Sequence, residues 1–321
     1  MQAASGVIER SGKSSAGRQV LLWTNPNAGS HSRIDTIGAV EQHLIMAGYT
    51  VIRPSSPEDL AARATAGQAD QSLRAVVAAG GDGTVGLVLN QTPPGTPIVV
   101  LPLGTENLLA KYLEHSRDPA ALVRIIEEGN LLSLDAGNAN GRLFTLMAGC
   151  GFDGEVVRRL HRKRRGHIGH WSYAKPILDA IRTYEYPLLT VDYRAPGTPE
   201  GAWTGTVEAR WVFVVNLPRY AGGLAISPTA TGTDGLLDIC TFKEGSLLSG
   251  LYYLSAVVFG QQGAVHDFVK VQATHLRVQT TGKVPFQLDG DPGGELPLDI
   301  SIEPGRLTVL VSDHWLDRHA Q

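Results

Sequence analysis

The chain has 321 residues and a mass of 34.3 kDa, which exceeds the usual size of one domain and favours two. Its formal net charge of −3 excludes a generally basic surface, so no nucleic-acid partner is expected. Only two cysteines occur, and no apolar run approaches the roughly 20 residues of a membrane-spanning helix, so a cytoplasmic protein is expected.

The first part of the chain alternates strands with helices. Residues 1–17 are small, polar and mildly basic, and they predict a disordered leader. A strand at Gln19–Trp23 follows, then a loop, and apolar residues at helical spacing predict a helix over 34–46. Further strands are expected to end near Gly80 and Leu101. This alternation predicts a doubly wound parallel α/β domain.

Two loops at the ends of apolar strands carry the chemical signal. Gly80, Gly81 and Gly83 surround Asp82 and precede Thr84, a pattern typical of a phosphate-binding turn before a helix N-terminus. An ordinary glycine-rich turn is the alternative for this motif. The second loop contains Gly104, Thr105 and Asn107, and by itself it could be a helix cap. Its position after a second strand end favours a shared phosphate site.

Beyond about Leu134 the chain becomes rich in strands. Short β-type runs separated by Gly, Pro and Asn turns predict an antiparallel sheet or sandwich over residues 135–305. Helices interrupt this part, and strands are expected at 132–135, 142–147, 188–193, 207–215, 236–242, 269–271, 275–280 and 298–302. An apolar strand at 306–311 is expected to return to the first domain, which then comprises residues 18–134 and 306–321.

Several motifs in one order resemble those of the diacylglycerol kinase catalytic domain family, which includes bacterial lipid kinases, sphingosine kinases and ceramide kinases. The motifs are Asn25-Pro26-x-Ala28-Gly29, Gly80-Gly81-Asp82-Gly83-Thr84, Pro102-Leu103-Gly104-Thr105-x-Asn107, Gly149-x-Gly151-Phe152-Asp153, Ala221-Gly222-Gly223, Asp234-Gly235-Leu236-Leu237-Asp238 and Asp289-Gly290-Asp291. The resemblance extends from about Val20 to Val311.

The resemblance implies an ATP-dependent lipid kinase with Mg²⁺, an α/β nucleotide domain and a β-sandwich that admits the lipid. ATP would be bound by residues of the three N-terminal motifs, namely Asn25, Gly29, Gly80, Gly81, Gly83, Thr84, Gly104, Thr105 and Asn107. Asp289 is the candidate general base and Asp82 a second catalytic candidate, because phosphoryl transfer needs positioning and a carboxylate acceptor for the hydroxyl proton. Asp135 and Asp234 are the candidate metal ligands.

Departures from the family pattern leave two alternatives open. Leu108 and Thr233 stand where the family has aspartate, Asp291 replaces glutamate, and Glu106 could restore one carboxylate. A nucleotide- or lipid-binding homologue that has lost catalysis is therefore one alternative. An NAD kinase, which shares the Gly-Gly-Asp-Gly-Thr motif, is the other.

The run Arg158–Arg165 is strongly basic within a slightly acidic chain. It could bring the enzyme to anionic lipid, which would make the protein peripheral to the membrane, or it could be a solvated helix face. A sheet edge in the second domain could also pair two copies as a homodimer. Tyr252, Tyr253, Leu254 and Val258 are expected to build core rather than line a lipid pocket.

Overall fold

The structure is a computed structural model that describes residues 8–10, 17–24, 31–162, 182–219 and 224–319. The chain divides into two compact units. The first unit comprises Met1–Leu134 and Pro304–Gln321, and the second unit comprises Asp135–Glu303.

The first unit is built on a parallel sheet with helices between the strands. Its described elements are β1 (Ile8–Arg10), β2 (Gln19–Thr24), α1 (His31–Met46), β3 (Thr50–Ile52), α2 (Pro57–Ala69), β4 (Leu73–Gly80), α3 (Asp82–Gln91), β5 (Ile98–Pro102), α4 (Leu108–Tyr112) and α5 (Pro119–Glu128). Strands β5, β4, β2 and β3 are neighbours in that order, and all pairs are parallel. Every residue of β4 and β5 is buried, which explains why both strands are almost wholly apolar.

Helices α2 and α5 begin as the sequence dictates. In each, a polar side chain caps the first turn and proline occupies the next position: Ser56 accepts from Asp59 N, and Asp118 accepts from Ala120 N. The final strand of the chain, β17 (Leu298–Val311), pairs in parallel with β5 at Val309 and Ile98. The C-terminal helix Asp313–His319 follows it.

Part of the expected disordered leader is ordered. Residues Ile8–Arg10 form β1, which pairs antiparallel with the start of β6 (Asn130–Ala139). The backbone of β6 supplies hydrogen-bond partners there, and a long-range pairing of this kind leaves no mark on the local composition. For these three residues the expectation of disorder is corrected.

The second unit contains two antiparallel sheets. Its described elements after β6 are β7 (Arg142–Phe144), β8 (Met147–Gly151), α6 (Phe152–Arg162), β9 (Leu189–Arg194), β10 (Gly205–Ala209), β11 (Trp211–Val215), β12 (Leu237–Phe242), α7 (Leu247–Val258), β13 (Val269–Ala273), β14 (His275–Gln279), β15 (Pro285–Leu288) and β16 (Asp291–Glu295). One sheet has the order β13-β12-β11-β8-β15-β16, and the other places β10, β9, β14 and the first part of β17 side by side.

Apolar side chains from both sheets of the second unit form one core. Val212 and Val214 of β11 belong to the same buried cluster as Val191 of β9 and Leu276 of β14. Two sheets that share one core in this way form a sandwich. The predicted fold class, an α/β N-terminal part and a β-sandwich C-terminal part, is confirmed.

The strand boundaries differ from the expectation where the chain passes from one sheet to the other within a predicted strand. The predicted strand 207–215 is broken at Arg210, because β10 pairs in one sheet and β11 in the other. Strand 298–302 and the returning strand are one element, β17. The expected helix over 172–183 lies mostly outside the described residues.

Cys150 and Cys240 are free and fully buried, so the expectation that they pack as small apolar side chains is confirmed. In the part of the chain that the structure describes, no helix is long and apolar enough to cross a membrane.

Candidate functional site

The two glycine-containing loops of the first unit lie against each other at the ends of β4 and β5. A Cβ atom built on Gly104 would lie 2.5 Å from Cα of Gly81, and Leu103 N donates to Gly80 O at 2.9 Å. A side chain at Gly80 would lie 2.0 Å from Thr84 Oγ1. Gly104 is therefore required by close packing against Gly81 of the other loop, and Gly80 by packing against Thr84 of its own loop.

Helix α3 begins at this contact. Gly81 is its N-cap residue and supplies no side-chain cap. The first amides of any helix lack intrahelical partners and carry the positive end of the helix dipole, which favours an anion. Gly83 is exposed, whereas the next residue, Thr84, is buried. The arrangement is chemically suited to a phosphate group.

The Asp82 carboxylate joins the two loops. Its Oδ2 accepts from Leu108 N at 3.0 Å and its Oδ1 accepts from Leu109 N at 3.1 Å, so it caps α4 rather than its own helix. Burial raises the pKa of Asp82, and the Glu106 carboxylate raises it further, while the two amide donors oppose this. Asp82 thus holds the second loop in place through two backbone amides.

Asn107 closes the second loop on itself. Its Oδ1 accepts from Gly104 N and its Nδ2 donates to Gly104 O, both at 2.8 Å. Its backbone is left-handed, with φ of 49°, a conformation that asparagine tolerates better than most residues. Thr105 is exposed at the tip, and Glu106 lies 3.8 Å from Lys111 Nζ. Thr105 is therefore the exposed residue of this loop, and its side chain carries a hydroxyl.

The Asp289 carboxylate of the second unit accepts four hydrogen bonds from one turn. Oδ2 accepts from Thr145 N at 2.6 Å and Thr145 Oγ1 at 3.0 Å, and Oδ1 accepts from Leu146 N at 2.8 Å and Met147 N at 3.0 Å. Burial raises the pKa of Asp289, and these donors act in the opposite direction. Asp289 also has a left-handed backbone, with φ of 51°. The carboxylate therefore fixes the β7 to β8 turn.

Asn216 connects this turn to Asp135. Its Nδ2 donates to Asp135 O at 2.8 Å and to Thr145 O at 2.7 Å, and its Oδ1 is a buried acceptor without a hydrogen-bond donor in the described structure. Asp135 is buried and its Oδ2 accepts from Gly235 N at 2.8 Å. Hydrogen bonds therefore link Asp289, Thr145, Asn216 and Asp135 in one chain.

Asp234 precedes Gly235 and is exposed, and its Oδ1 accepts from Leu236 N at 3.0 Å. The structure thus brings the two candidate metal ligands, Asp135 and Asp234, to the same turn. No group of three or more His, Cys, Asp or Glu side chains suited to a metal occurs among the described residues. The donors fit Mg²⁺ only as a partial set, because Mg²⁺ commonly takes one or two protein carboxylates and completes its shell with water or phosphate oxygens.

A second buried pair supports the Asp289–Asp291 turn. Gln287 Nε2 donates to Asp153 Oδ2 at 2.8 Å, and Gln287 Oε1 accepts from Gly290 N at 2.7 Å. Gly149 is required there because its Cβ would lie 1.8 Å from Asp153 Oδ2. The Gly149–Asp153 motif therefore positions the hairpin between β15 and β16.

The chain matches two family models in sequence order. The model described as "Diacylglycerol kinase catalytic domain" matches residues 19–139. The model described as "YegS C-terminal NAD kinase beta sandwich-like domain" matches residues 147–311, more than half of the chain. This chain belongs to the family in which a diacylglycerol kinase catalytic domain is followed by a YegS-type C-terminal domain. The resemblance drawn from the motifs is confirmed.

Curated relatives of this family member carry lipid kinase names. A Mycobacterium tuberculosis protein named "Diacylglycerol kinase" is 28% identical over 305 residues, covering 92% of this chain and 96% of its own. A Pseudomonas aeruginosa protein named "Probable lipid kinase YegS-like" is 28% identical over 237 residues, covering 73% of this chain and 75% of its own.

Two solved structures share the fold of this diacylglycerol kinase family member. A diacylglycerol kinase structure from Bacillus anthracis has a TM-score of 0.65 at 20% identity, covering 92% of this chain and 98% of that one. An NAD kinase from Archaeoglobus fulgidus, solved with ATP, has a TM-score of 0.50 at 13% identity, covering 94% and 96%. At these identities the likeness shows the fold alone.

Some predicted site residues lie outside the described residues: Asn25 and Gly29 of the first motif, Lys163–Arg165 of the basic run, and the Ala221–Gly223 motif. Within the described part of the run, Arg158 and Arg159 both form ion pairs with Glu155, with Arg159 Nε 2.6 Å from Oε1. Arg162 is exposed. The positive charge of this helix is therefore partly neutralised by its own first turn.

Sequence reasoning missed Asn216, Thr145 and Gln287. Each is a buried polar residue that lies next to or within an apolar strand, and each makes the contacts that hold a predicted aspartate or its turn. For Asn216 a signal existed, since one amide side chain follows the five apolar residues of β11. Buried polar groups need partners, so such a residue marks a network.

Proposed function

We propose that this chain is an ATP-dependent lipid kinase that transfers the γ-phosphate to a hydroxyl of diacylglycerol. The observation that carries the proposal is the contact between the Gly80–Thr84 and Gly104–Asn107 loops at the uncapped N-terminus of α3. Membership of the diacylglycerol kinase family and the names of the curated relatives support it.

The first unit binds the phosphates of ATP in this proposal. Backbone amides of Gly81 and Gly83 at the start of α3 donate to phosphate oxygens, and the exposed Thr105 hydroxyl adds a donor. Asp82 and Asn107 act indirectly, since their side chains hold the second loop through Leu108, Leu109 and Gly104. Positioning of this kind supplies most of what phosphoryl transfer needs from a protein.

The second unit supplies the carboxylates. A carboxylate oxygen has two acceptor sites, so the four donors to Asp289 use the full capacity of both oxygens. We therefore assign Asp289 to positioning of the turn and assign proton acceptance to Asp291, which is partly exposed at the start of β16. Asp289 as the base, the sequence-based prediction, remains the competing assignment.

Asp135 and Asp234 would hold Mg²⁺, which when bound would neutralise charge on the transferring phosphoryl group. The protein's own contribution is to hold the Asp234–Gly235 turn against Asp135. Gly235 N donates to the Asp135 carboxylate, and Asn216 Nδ2 donates to the Asp135 backbone carbonyl. Asn216 also ties this turn to the Thr145 turn that Asp289 holds.

The direct test is transfer of label from γ-labelled ATP in the presence of Mg²⁺ to a panel of diacylglycerol, monoacylglycerol, sphingosine, ceramide, undecaprenol and NAD. The proposal predicts labelled phosphatidic acid from diacylglycerol. Label in NAD alone would make the chain an NAD kinase, and ATP binding without label in any acceptor would make it a binding protein that lacks catalysis.

A further inference from the structure

Helix α7 of the second unit is apolar on both of its faces. Tyr253 faces inward: its ring stacks on Phe242 at 4.5 Å, meets Trp211 edge-on at 5.7 Å, and its hydroxyl donates to Asp267. Gly250 and Ala256 are buried on the same side. These contacts fix α7 to the sandwich by one face.

The opposite face of α7 carries large apolar side chains in solvent. Leu248 is 79% exposed and Phe259, directly after the helix, is 76% exposed. The other exposed members of this face are Leu247, Leu251, Tyr252 and Val258. Residues three and four apart lie on one side of a helix, so these side chains form one apolar surface, interrupted only by the exposed Ser255, whose hydroxyl donates to Tyr252 O; this surface is called the α7 face below. The expectation that Tyr252 and Val258 build core is wrong, whereas for Tyr253 it is confirmed.

The α7 face lacks charge along its whole length. No Asp, Glu, Lys, Arg or His occurs from Gly245 to Val265. Charges occur only at the two ends of this stretch, at Lys243 and Glu244 and at His266 and Asp267. A helix that is apolar all round needs an apolar partner on each side. An uncharged face fits a neutral partner rather than an anionic one.

We propose that the α7 face docks into the interfacial layer of a neutral lipid bilayer. The choice of partner rests on the proposed function, since a kinase of diacylglycerol must reach a substrate held in a bilayer. The 12 residues of α7 make a helix about 18 Å long. This is shorter than a hydrocarbon core of about 30 Å, so the helix lies along the surface. Tyr252 is suited to the interface, where aromatic residues with a polar end are enriched.

This surface is independent of the basic run on α6. Binding through apolar side chains depends on the area buried and is insensitive to salt, whereas attraction of arginines to anionic lipid is screened by salt. The α7 face therefore predicts binding to pure phosphatidylcholine vesicles that persists when sodium chloride is raised from about 0.1 M to about 0.5 M.

The test is flotation of the full chain with phosphatidylcholine vesicles, without ATP or substrate. The double variant Leu248→Ser/Phe259→Ser removes the two most exposed side chains of the face. The control Ile45→Ser/Met46→Ser changes two apolar side chains on α1 that are 57% and 81% exposed. We expect partitioning to fall by about tenfold or more for the α7 variant, because binding scales with buried apolar area, and to be unchanged for the control.

Equal flotation of the α7 variant and the wild type, or no flotation of the wild type, would overturn the proposal. The proposal would also be overturned if light scattering showed a dimer that the α7 substitutions dissociate while flotation stayed unchanged. The α7 face would then be covered by a second copy of the chain. Phosphorylation of a monomeric short-chain diacylglycerol separates the two proposals. Flotation without phosphorylation would support membrane docking and reject the kinase activity. Phosphorylation without flotation would support the kinase activity and reject membrane docking.

Discussion

The Asp289→Asn substitution tests whether this residue positions a turn or performs chemistry. Asparagine keeps the left-handed backbone at low cost, so the effect is confined to the side chain. The amide retains one acceptor oxygen and presents an NH₂ group to the other pair of donors. Two of the four donors from Thr145–Met147 therefore lose their acceptor.

Each donor left without an acceptor costs about 1–3 kcal/mol, so Asp289→Asn should lower the free energy of unfolding by about 3 kcal/mol. A loss of this size lowers Tm by several degrees, which differential scanning fluorimetry detects. Asp291→Asn is the matched variant, since it changes the same carboxylate to the same amide two residues away. We expect it to lower the free energy of unfolding by less, because the four donors of the Thr145–Met147 turn are bonded to Asp289.

Activity measured on the folded fraction completes this experiment. We expect Asp291→Asn to lose kcat by at least about a hundredfold, as removal of a general base does, and Asp289→Asn to lose less per folded molecule. An Asp289→Asn protein that melts with the wild type and is inactive would refute the positioning role and restore Asp289 as the base.

Three further predictions concern the first unit. Gly104→Ala should abolish ATP binding measured by calorimetry, because the added Cβ would lie 2.5 Å from Cα of Gly81. The control Gly86→Ala in α3 has nothing within 4 Å of its Cβ, so it should bind ATP normally and gain up to about 1 kcal/mol of stability. Equal ATP binding by both variants would contradict the loop contact. Asp82→Asn should weaken ATP binding and lower stability by about 1–2 kcal/mol through loss of the α4 cap, seen by thermal melting, and unchanged melting would exclude that role. Burial lowers the pKa of His115 from 6.5 to about 4, so the unfolded chain binds this proton more tightly than the folded chain does. The free energy of unfolding should therefore fall by up to about 3 kcal/mol as the pH drops from 6.5 towards 4. His115→Asn should show a shallower fall in urea denaturation over this range, and a slope equal to the wild type would be inconsistent with a buried neutral imidazole.

The sequence predicts elements well where local pattern and tertiary role agree. Strand β4 is apolar apart from Arg74 and ends in glycine, and it is a fully buried parallel strand followed by a helix. The Gly81 and Gly104 loops were predicted to be neighbours because parallel strands end at one edge of a sheet, and they are in contact. For these features, strand pattern and the geometry of parallel sheets are enough to predict the structure.

Other features depend on long-range pairing, which local pattern does not contain. Arg210 divides one apolar run between two sheets because its two halves pair with different strands. The four donors to Asp289 come from a turn more than a hundred residues earlier in the chain, so a carboxylate that looks catalytic in sequence is held as an acceptor in the structure. The spacing of Asp289, Gly290 and Asp291 does not indicate that the Asp289 carboxylate is saturated with donors.

The most direct test of the kinase assignment is the formation of labelled phosphatidic acid from γ-labelled ATP and diacylglycerol, with wild type and Asp291→Asn assayed side by side at equal folded concentration. We expect Mg²⁺-dependent label in the lipid with the wild type and at least about a hundredfold less with Asp291→Asn. Absence of labelled lipid from a wild-type protein that binds ATP, or equal labelling by the two proteins, would contradict it.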